Sequence, residues 1–367
     1  MSNLLKNLYS PEFFEEFSEI LGLSIENFNS KQFKHLLFDE HWNNKELKDR
    51  MRHTTKVLNQ FLPKDFEKAA IVINDLTHHL LNRKKKLNGL VLMFIPDYLE
   101  TYGINHFKTS VALFEKVTQL SSCEFAVRPF IIRYEQQMID VMYQWSKHQN
   151  EHVRRLASEG CRPRLPWAMA LPKLKQNPKP ILPILEQLKQ DKSEYVRKSV
   201  ANNINDITKD NKDVVLELVK KWKAISSFTD AIIKHGCRTL LKAGNKEILT
   251  FFNLTDSKHF SLSNFKLHNQ KVSIGSDLTF SFDLTNNLLK SELVRLEYAI
   301  YYLKLNGNLN KKVFKISEKT LKNKQTISIT KKQSFKIITT RKFHKGVHQI
   351  AIIVNGVEKN KIDFILC

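Results

Sequence analysis

Glu151-His152-Val153-Arg154-Arg155 returns 43 residues later as Glu194-Tyr195-Val196-Arg197-Lys198. That offset lies within the roughly 40–47 residues of HEAT-type helix pairs, units that recur because one pair cannot bury its apolar face alone. The repeat predicts a valine on the shared core, an arginine along the helix surface, and stacked pairs making a curved solenoid with a concave face. The flanking sequence agrees. From Ser10 to about Gly244 apolar residues recur at helical spacing, as in Phe13, Phe14, Phe17, Ile20 and Leu21, or Val214, Val215, Leu218, Val219 and Trp222. Ser10-Pro11 reads as an N-cap with a first-turn proline, and Pro63-Lys64-Asp65 and Pro178-Lys179-Pro180 open later segments. Gly103, Gly160 and Gly244 follow periodic runs as helix stops.

After about Asp256 the period changes from 3.6 to 2, in Leu278-Thr279-Phe280-Ser281-Phe282-Asp283-Leu284 and in Val294, Leu296, Tyr298, Ile300 and Tyr302 alternating with Arg295 and Glu297. Asn306-Gly307 and Asn355-Gly356 sit between strand-like runs, the signal of a type I′ hairpin turn with positive φ at both central residues. Seven or eight short strands predict a β-sandwich of immunoglobulin type, with a small barrel as the alternative. The reading is a two-domain chain: an all-α solenoid over 1–250, a linker over 251–262, and an all-β sandwich over 263–367.

The 367 residues carry 59 Lys+Arg against 37 Asp+Glu, a formal charge of +22, with 42% hydrophobic residues. Such a field recruits polyanions, so nucleic acid, an anionic membrane surface or an acidic protein are the natural partners. From Ser257 onward 20 Lys+Arg face 7 Asp+Glu. Lys311, Lys312, Lys331 and Lys332 in that stretch read as contacts to a phosphate backbone; the plain alternative is that solvent-facing strand positions are lysine, which also blunts sheet edges.

Cys123, Cys161, Cys237 and Cys367 are far apart and lack a C-x-x-C pair, which excludes a disulfide scaffold and the usual zinc finger and leaves a reduced, cytoplasmic setting as the expectation. Lys6 and the acids after it fall where a signal peptide needs an apolar region, and no later stretch reaches about 18 apolar residues, so a soluble protein is expected. His78-His79 and His344-x-x-x-His348 lack a third ligand and read as surface histidines. No P-loop, G-x-G-x-x-G or G-x-S-x-G occurs, so no metal and no cofactor are expected.

Three segments draw attention: 121–130, 152–168 and 191–211. Glu124 and Asp206 read as helical acids beside small or amide residues. Glu159 precedes a Gly and a proline-constrained stretch holding Arg162, Arg164 and Trp167. Glu124, Glu159 and Asp206 lie 35 and 47 residues apart, close to one helix pair each, so a solenoid would turn all three to one concave surface. Acids oppose phosphate binding by like-charge repulsion, so acids clustered on a basic protein suggest chemistry.

These segments, SSCEFAVRPF, HVRRLASEGCRPRLPWA and DKSEYVRKSVANNINDITKDN, resemble the AlkC branch of the HEAT-like DNA alkylation repair glycosylases, as do FIPDYLETYG and the basic run Asn82-Arg83-Lys84-Lys85-Lys86 upstream. The resemblance covers about residues 10 to 245, and the basic β region is similar to the immunoglobulin-like domain that some members carry. It implies a monofunctional DNA N-glycosylase acting as a monomer on duplex DNA that contains 3-methylcytosine, 1-methyladenine or 3-methyladenine. It further implies that Asp206, Glu159 and Glu124 are active-site acids, with Asp206 the essential one. Trp167 would contact the deoxyribose, and Arg155, Arg162 and Arg164 would hold the flanking phosphates. The alternatives are a non-catalytic HEAT-type scaffold that binds nucleic acid or an acidic protein, which the acids discriminate from the enzyme, and a lesion sensor that binds without cutting, which only an assay separates.

Overall fold

The computed structural model describes residues 4–254, 256–338 and 341–367. Two compact units divide the chain, Met1–Gly236 and Cys237–Cys367. The last two short helices, Arg238–Lys242 and Lys246–Phe251, therefore fall in the second unit with the strands.

Among the described residues of the first unit the regular elements are all helices. Pro11–Leu21 begins as the sequence predicts: the Ser10 side chain accepts from the Phe13 amide at 3.3 Å, and Pro11 sits where no amide hydrogen is needed. Asp65 caps Phe66–Asn82 in the same way, accepting from the Lys68 amide at 3.0 Å. The repeat survives in space, since Glu151–Glu159 packs on Glu194–Ile207, which packs on Ser227–Gly236. Val153 and Val196 are fully buried at matched positions, each contributing about 1.5 kcal/mol.

The arginines that follow repeat their contacts too. Arg154 donates to the carbonyls of His148 and Gln149 at 2.9 and 2.6 Å, and Arg197 donates to those of Asp191 and Lys192 at 2.6 and 2.9 Å. Each sews its helix to the turn before it. Arg154 does not lie along the surface as expected; it is buried and holds Asp191 through two bonds of 2.6 and 3.0 Å, because a guanidinium leaves water only when its donors find partners.

Two of the three glycine stops also work differently from the expectation. Gly103 and Gly160 keep right-handed helical φ values of −92° and −63°, so neither supplies a left-handed cap. Gly160 is instead a point of close approach, where a Cβ would stand 2.6 Å from a Val127 methyl and 2.9 Å from the Met142 methyl.

Among the described residues of the second unit eight strands form two sheets. They are β1 Phe260–Leu267, β2 Lys271–Val272, β3 Asp277–Asn286, β4 Glu292–Leu303, β5 Leu309–Leu321, β6 Thr326–Ser334, β7 Gly346–Val354 and β8 Val357–Leu366. The orders are β1-β3-β6 and β2-β8-β7-β4-β5, antiparallel throughout except the short β2-β8 pairing. Alternate residues of β3, β4 and β7, among them Phe280, Phe282, Leu296, Ile300, Ile350 and Ile352, make the core of the sandwich.

Three expectations fail here for physical reasons. Arg295 and Glu297 are buried although their alternation predicts an outward face. The second face of β4 is covered as well and holds its own apolar cluster of Ala299, Ala351 and Ile353, so the two charges pair at 2.7 Å. His348 is not a surface histidine. It lies in the core with its Nε2 2.9 Å from the His344 carbonyl and its Nδ1 accepting from the Leu303 amide at 3.2 Å, and burial pushes its pKa down. Asn355-Gly356 has φ of 45° and 75°, as a type I′ turn requires, but at Asn306-Gly307 only the glycine is left-handed, with φ 79°. The longer connection 304–308 closes through the Gly307 amide on the Lys304 carbonyl at 3.0 Å, and that turn needs one left-handed residue rather than two.

Candidate active site

Glu159 is the last residue of Glu151–Glu159, and Asp206 is the penultimate residue of Glu194–Ile207. A carboxylate at a helix C-terminus is opposed by the negative end of the helix dipole, so both need cations to hold them. Arg162 serves both: its Nη1 donates to Glu159 Oε1 at 2.5 Å and its Nε to Asp206 Oδ2 at 2.8 Å. Lys209 adds a contact to Asp206 Oδ1 at 3.2 Å. Glu159, Arg162 and Asp206 are all buried.

Arg155, one turn before Glu159, extends the chain of charges. Its guanidinium bonds Glu124, donates to Ser122 Oγ at 2.8 Å and lies 3.5 Å from Glu159. Glu124 stands in the connection before the helix Val127–Tyr134 rather than within a helix as expected, where the Ser122 hydroxyl donates to it at 2.8 Å. One line of alternating charge thus runs Glu124, Arg155, Glu159, Arg162, Asp206. The neighbouring carboxylates hold both guanidiniums more firmly protonated than usual, against the opposing effect of burial. Arg164 lies outside this line and makes a two-toothed pair with Asp210 at 2.6 and 2.7 Å.

Trp167 follows on the loop 163–171. It is 62% exposed, whereas Trp42, Trp145 and Trp222 are buried. Its φ of +67° is a left-handed conformation that costs a bulky residue about 1 kcal/mol. Such strain persists only where the loop is held, and Lys48 donates to its carbonyl. Trp167 stands between two clefts. One, of about 340 Å³, carries Glu124, Arg155, His152 and Tyr195, with the Arg155 guanidinium 4.9 Å over the Tyr195 ring. The other, of about 300 Å³, joins Met51, Met93 and Phe125 to Arg52, Asp97 and Glu100.

That second cleft holds groups the sequence reading did not single out. Asp97 is buried and accepts from Thr55 at 2.6 Å and Arg52 at 2.8 Å, and burial raises its pKa. Burial and the neighbouring Asp97 push Glu100 up to about 7. Arg128 was also passed over; the cue is an arginine among apolar neighbours in Phe125-Ala126-Val127-Arg128-Pro129-Phe130.

In the second unit the lysines divide. Lys311 and Lys312 lie on β5 and Lys331 and Lys332 on β6, strands of different sheets. Lys311 is already paired with Glu358 at 2.9 Å. Lys312 instead borders a small cavity of about 150 Å³ together with Lys304, Arg341 and Lys342, and no carboxylate lines it. Arg341 stacks 4.4 Å from the Tyr302 ring centre. Burial and then Arg341 and Lys242 lower the Lys312 pKa. Among the described residues, no group of three or more His, Cys, Asp or Glu is arranged to hold a metal ion, and no helix is long and apolar enough to cross a membrane.

A helical unit with this charge line, followed by a basic immunoglobulin-like sandwich, defines a class with known members. A family model for DNA alkylation repair enzymes matches residues 112–247, and one for the C-terminal Ig-like domain of the uncharacterised protein YhaZ matches 261–367. The uncharacterized protein YhaZ of Bacillus subtilis is 42% identical over 99% of both chains. The Pseudomonas fluorescens alkylpurine DNA glycosylase AlkC, solved bound to DNA containing an abasic site analog, superposes with a TM-score of 0.91 at 32% identity over 99% of both chains. The chain belongs to the AlkC-type family of DNA alkylation repair proteins.

Proposed function

We propose that this protein is a monofunctional DNA N-glycosylase that excises bases made cationic by N-alkylation, with 3-methylcytosine, 1-methyladenine and 3-methyladenine as substrates. The observation that carries the reading is the pair of buried carboxylates, Glu159 and Asp206, held at the ends of two packed helices by one arginine in a protein of net charge +22. The likeness to AlkC along the whole chain supports it.

An alkylated base already bears positive charge, so no general acid is needed. The C1′–N bond breaks with its electron pair going to the base, and positive charge develops on the sugar. Carboxylates in a partly desolvated site stabilise that oxocarbenium-like state. Asp206, with Glu159 or Glu124, positions water, whose oxygen bonds to C1′ while its proton passes to a carboxylate. Trp167 lies against the deoxyribose, and Arg155, Arg162 and Arg164 take flanking phosphates. No lysine is assigned as a Schiff-base nucleophile, so excision proceeds without strand cleavage. The protein acts as a cytoplasmic monomer on duplex DNA, with neither metal nor cofactor. The basic sandwich, with Lys312, Lys331 and Lys332 among its contacts, grips the backbone without reading sequence.

One observation favours a second reading, a binding scaffold or lesion sensor: Arg162 occupies both buried carboxylates, and Arg155 and Arg164 are paired as well. The test is release of free base from a duplex carrying one 3-methylcytosine, and from methylated genomic DNA, by wild type and by Asp206→Asn. Release that vanishes in the variant while DNA binding persists is the expected result. No release by wild type from any alkylated substrate, with tight salt-sensitive binding, would favour the scaffold.

A further inference from the structure

Arg128 is fully buried on the helix Val127–Tyr134, and among the described residues it makes no ion pair. Its guanidinium is spent on backbone carbonyls. Nη1 donates to Gly160 at 3.0 Å and Arg162 at 2.8 Å, Nε donates to Met169 at 2.6 Å, and Nη2 has no hydrogen-bond partner. Burying a cation without a carboxylate is costly, and burial pushes this guanidinium down to about 10. A loop needing only an anchor is served by a neutral donor, so the position of these three carbonyls is informative.

The carbonyls bracket one segment. Gly160 and Arg162 lie just after Glu159, and Met169 lies two residues beyond Trp167. Between them stand Arg162, Arg164 and the left-handed Trp167. The backbone of Arg162 is held by Arg128 while its side chain holds Glu159 and Asp206. Gly160 brings that backbone close, since any Cβ there would strike Val127, the residue beside Arg128. The planar fork of an arginine reaches three carbonyls in fixed directions; the single head of a lysine does not.

We propose that Arg128 is the positioning residue of the site: its guanidinium fixes the 160–169 segment so that Arg162 is aligned on both carboxylates and Trp167 is presented between the two clefts. The consequence for excision rests on the glycosylase reading. The consequence for Trp167 does not, because Trp167 is the one exposed tryptophan of four and its emission can be followed without any activity.

The test uses full-length protein and the variants Arg128→Ala and Arg128→Lys. Acrylamide quenching of tryptophan emission and single-turnover base release at saturating enzyme are measured for each, with and without about 10 mM guanidinium, against an equal concentration of sodium chloride. In both variants the quenching of Trp167 is expected to change while the three buried tryptophans stay protected. The excision rate constant falls about 100-fold, and the dissociation constant for DNA changes less than about 5-fold. Guanidinium, which fits the space vacated in Arg128→Ala, restores at least about 10-fold of the rate and the wild-type quenching, while sodium chloride does not. If Arg128→Ala fails to fold, Arg128→Lys keeps the charge and most of the volume, and its quenching and rate decide. Folded variants with wild-type quenching and wild-type rate constant overturn the proposal, as does a loss of rate that only follows the unfolded fraction. Should wild type release no base, the glycosylase reading fails on its own, and quenching with its guanidinium rescue still decides the role of Arg128.

Discussion

The two units of this protein treat charge in opposite ways. In the helical unit Arg155 is tied between Glu124 and Glu159, and Arg162 between Glu159 and Asp206. In the sandwich 20 Lys+Arg face 7 Asp+Glu from Ser257 onward, and Lys304, Lys312, Arg341 and Lys342 gather around one cavity with no acid among them. Paired charge in a dry site sets up a local field against which another cation can form, whereas unpaired charge at a surface acts at long range on a polyanion. On the proposed function the contrast corresponds to chemistry in the first unit and grip in the second, and each assignment can be broken separately.

The largest effect is expected at Asp206. Asp206→Asn keeps the shape and removes the charge, so excision falls about 1,000-fold or more while DNA affinity stays within about 3-fold, read by single-turnover release and by titration. The change also leaves Arg162 with one carboxylate instead of two in a buried place, so about 3 kcal/mol of stability is lost and the melt must be checked beside the rate. Equal loss of binding and rate would erase the division between the units. The next effect belongs to the sandwich. Lys312→Gln with Arg341→Gln lowers DNA affinity by about 30-fold at low salt and reduces the slope of log affinity against log salt by about 2, with excision at saturation untouched. An unchanged salt slope would remove this cavity from the DNA interface.

Acidity should move the units in opposite directions. His348 is buried and its pKa is lowered, so below about 6.5 the unfolded chain binds a proton that the folded one refuses. The sandwich therefore loses stability as pH falls through 6.5, by up to about 1.4 kcal/mol per pH unit, and His348→Gln flattens that slope. Glu100 behaves inversely. Its folded pKa of about 7 lies above the unfolded value, so the folded helical unit keeps a proton that the unfolded chain gives up, and its contribution is lost as pH rises from about 4.5 toward 7. Glu100→Gln is expected to stabilise the helical unit at pH 8 by about 2 kcal/mol relative to wild type and to leave it unchanged at pH 4.5. Chemical denaturation of wild type and both variants at these pH values checks the two signs, and parallel shifts in the two variants would mean that neither group controls its own unit.

Much of the architecture was legible from periodicity. The helical spacing to about Gly244, the alternation beginning at Leu278 and the Ser10-Pro11 cap depend on neighbours in sequence, and the structure reproduces them. The acids were legible as a cluster because a repeat places residues about one helix pair apart on the same side of a stack. What stayed hidden depends on partners distant in sequence. Arg128 meets carbonyls 32, 34 and 41 residues away, and nothing local marks an arginine as the holder of a loop. Arg295 and Glu297 were misplaced because alternation tells which residues share a face, not whether the second face is covered. Arg154 was misplaced for a related reason: its partner Asp191 sits 37 residues on, in the next repeat.

The smallest predicted effect tests the edge of the comparison, where a paired arginine would have to serve as a grip. Arg164 and Asp210 form a half-exposed pair, and the carboxylate both holds the guanidinium and keeps its own pKa low through that bond. Exposed pairs add little to folding, so Arg164→Gln should leave the melting temperature within error of wild type. If the guanidinium is held ready for a phosphate, its loss weakens DNA binding about 5-fold, and Asp210→Asn, which frees it, tightens binding about 2-fold at low salt. The opposite sign for Asp210→Asn is the decisive part. An arginine that only braces the loop predicts weaker or unchanged binding in both variants, whereas one that exchanges a carboxylate for a phosphate must respond to them in opposite directions, since the acid and the DNA compete for the same fork of donors.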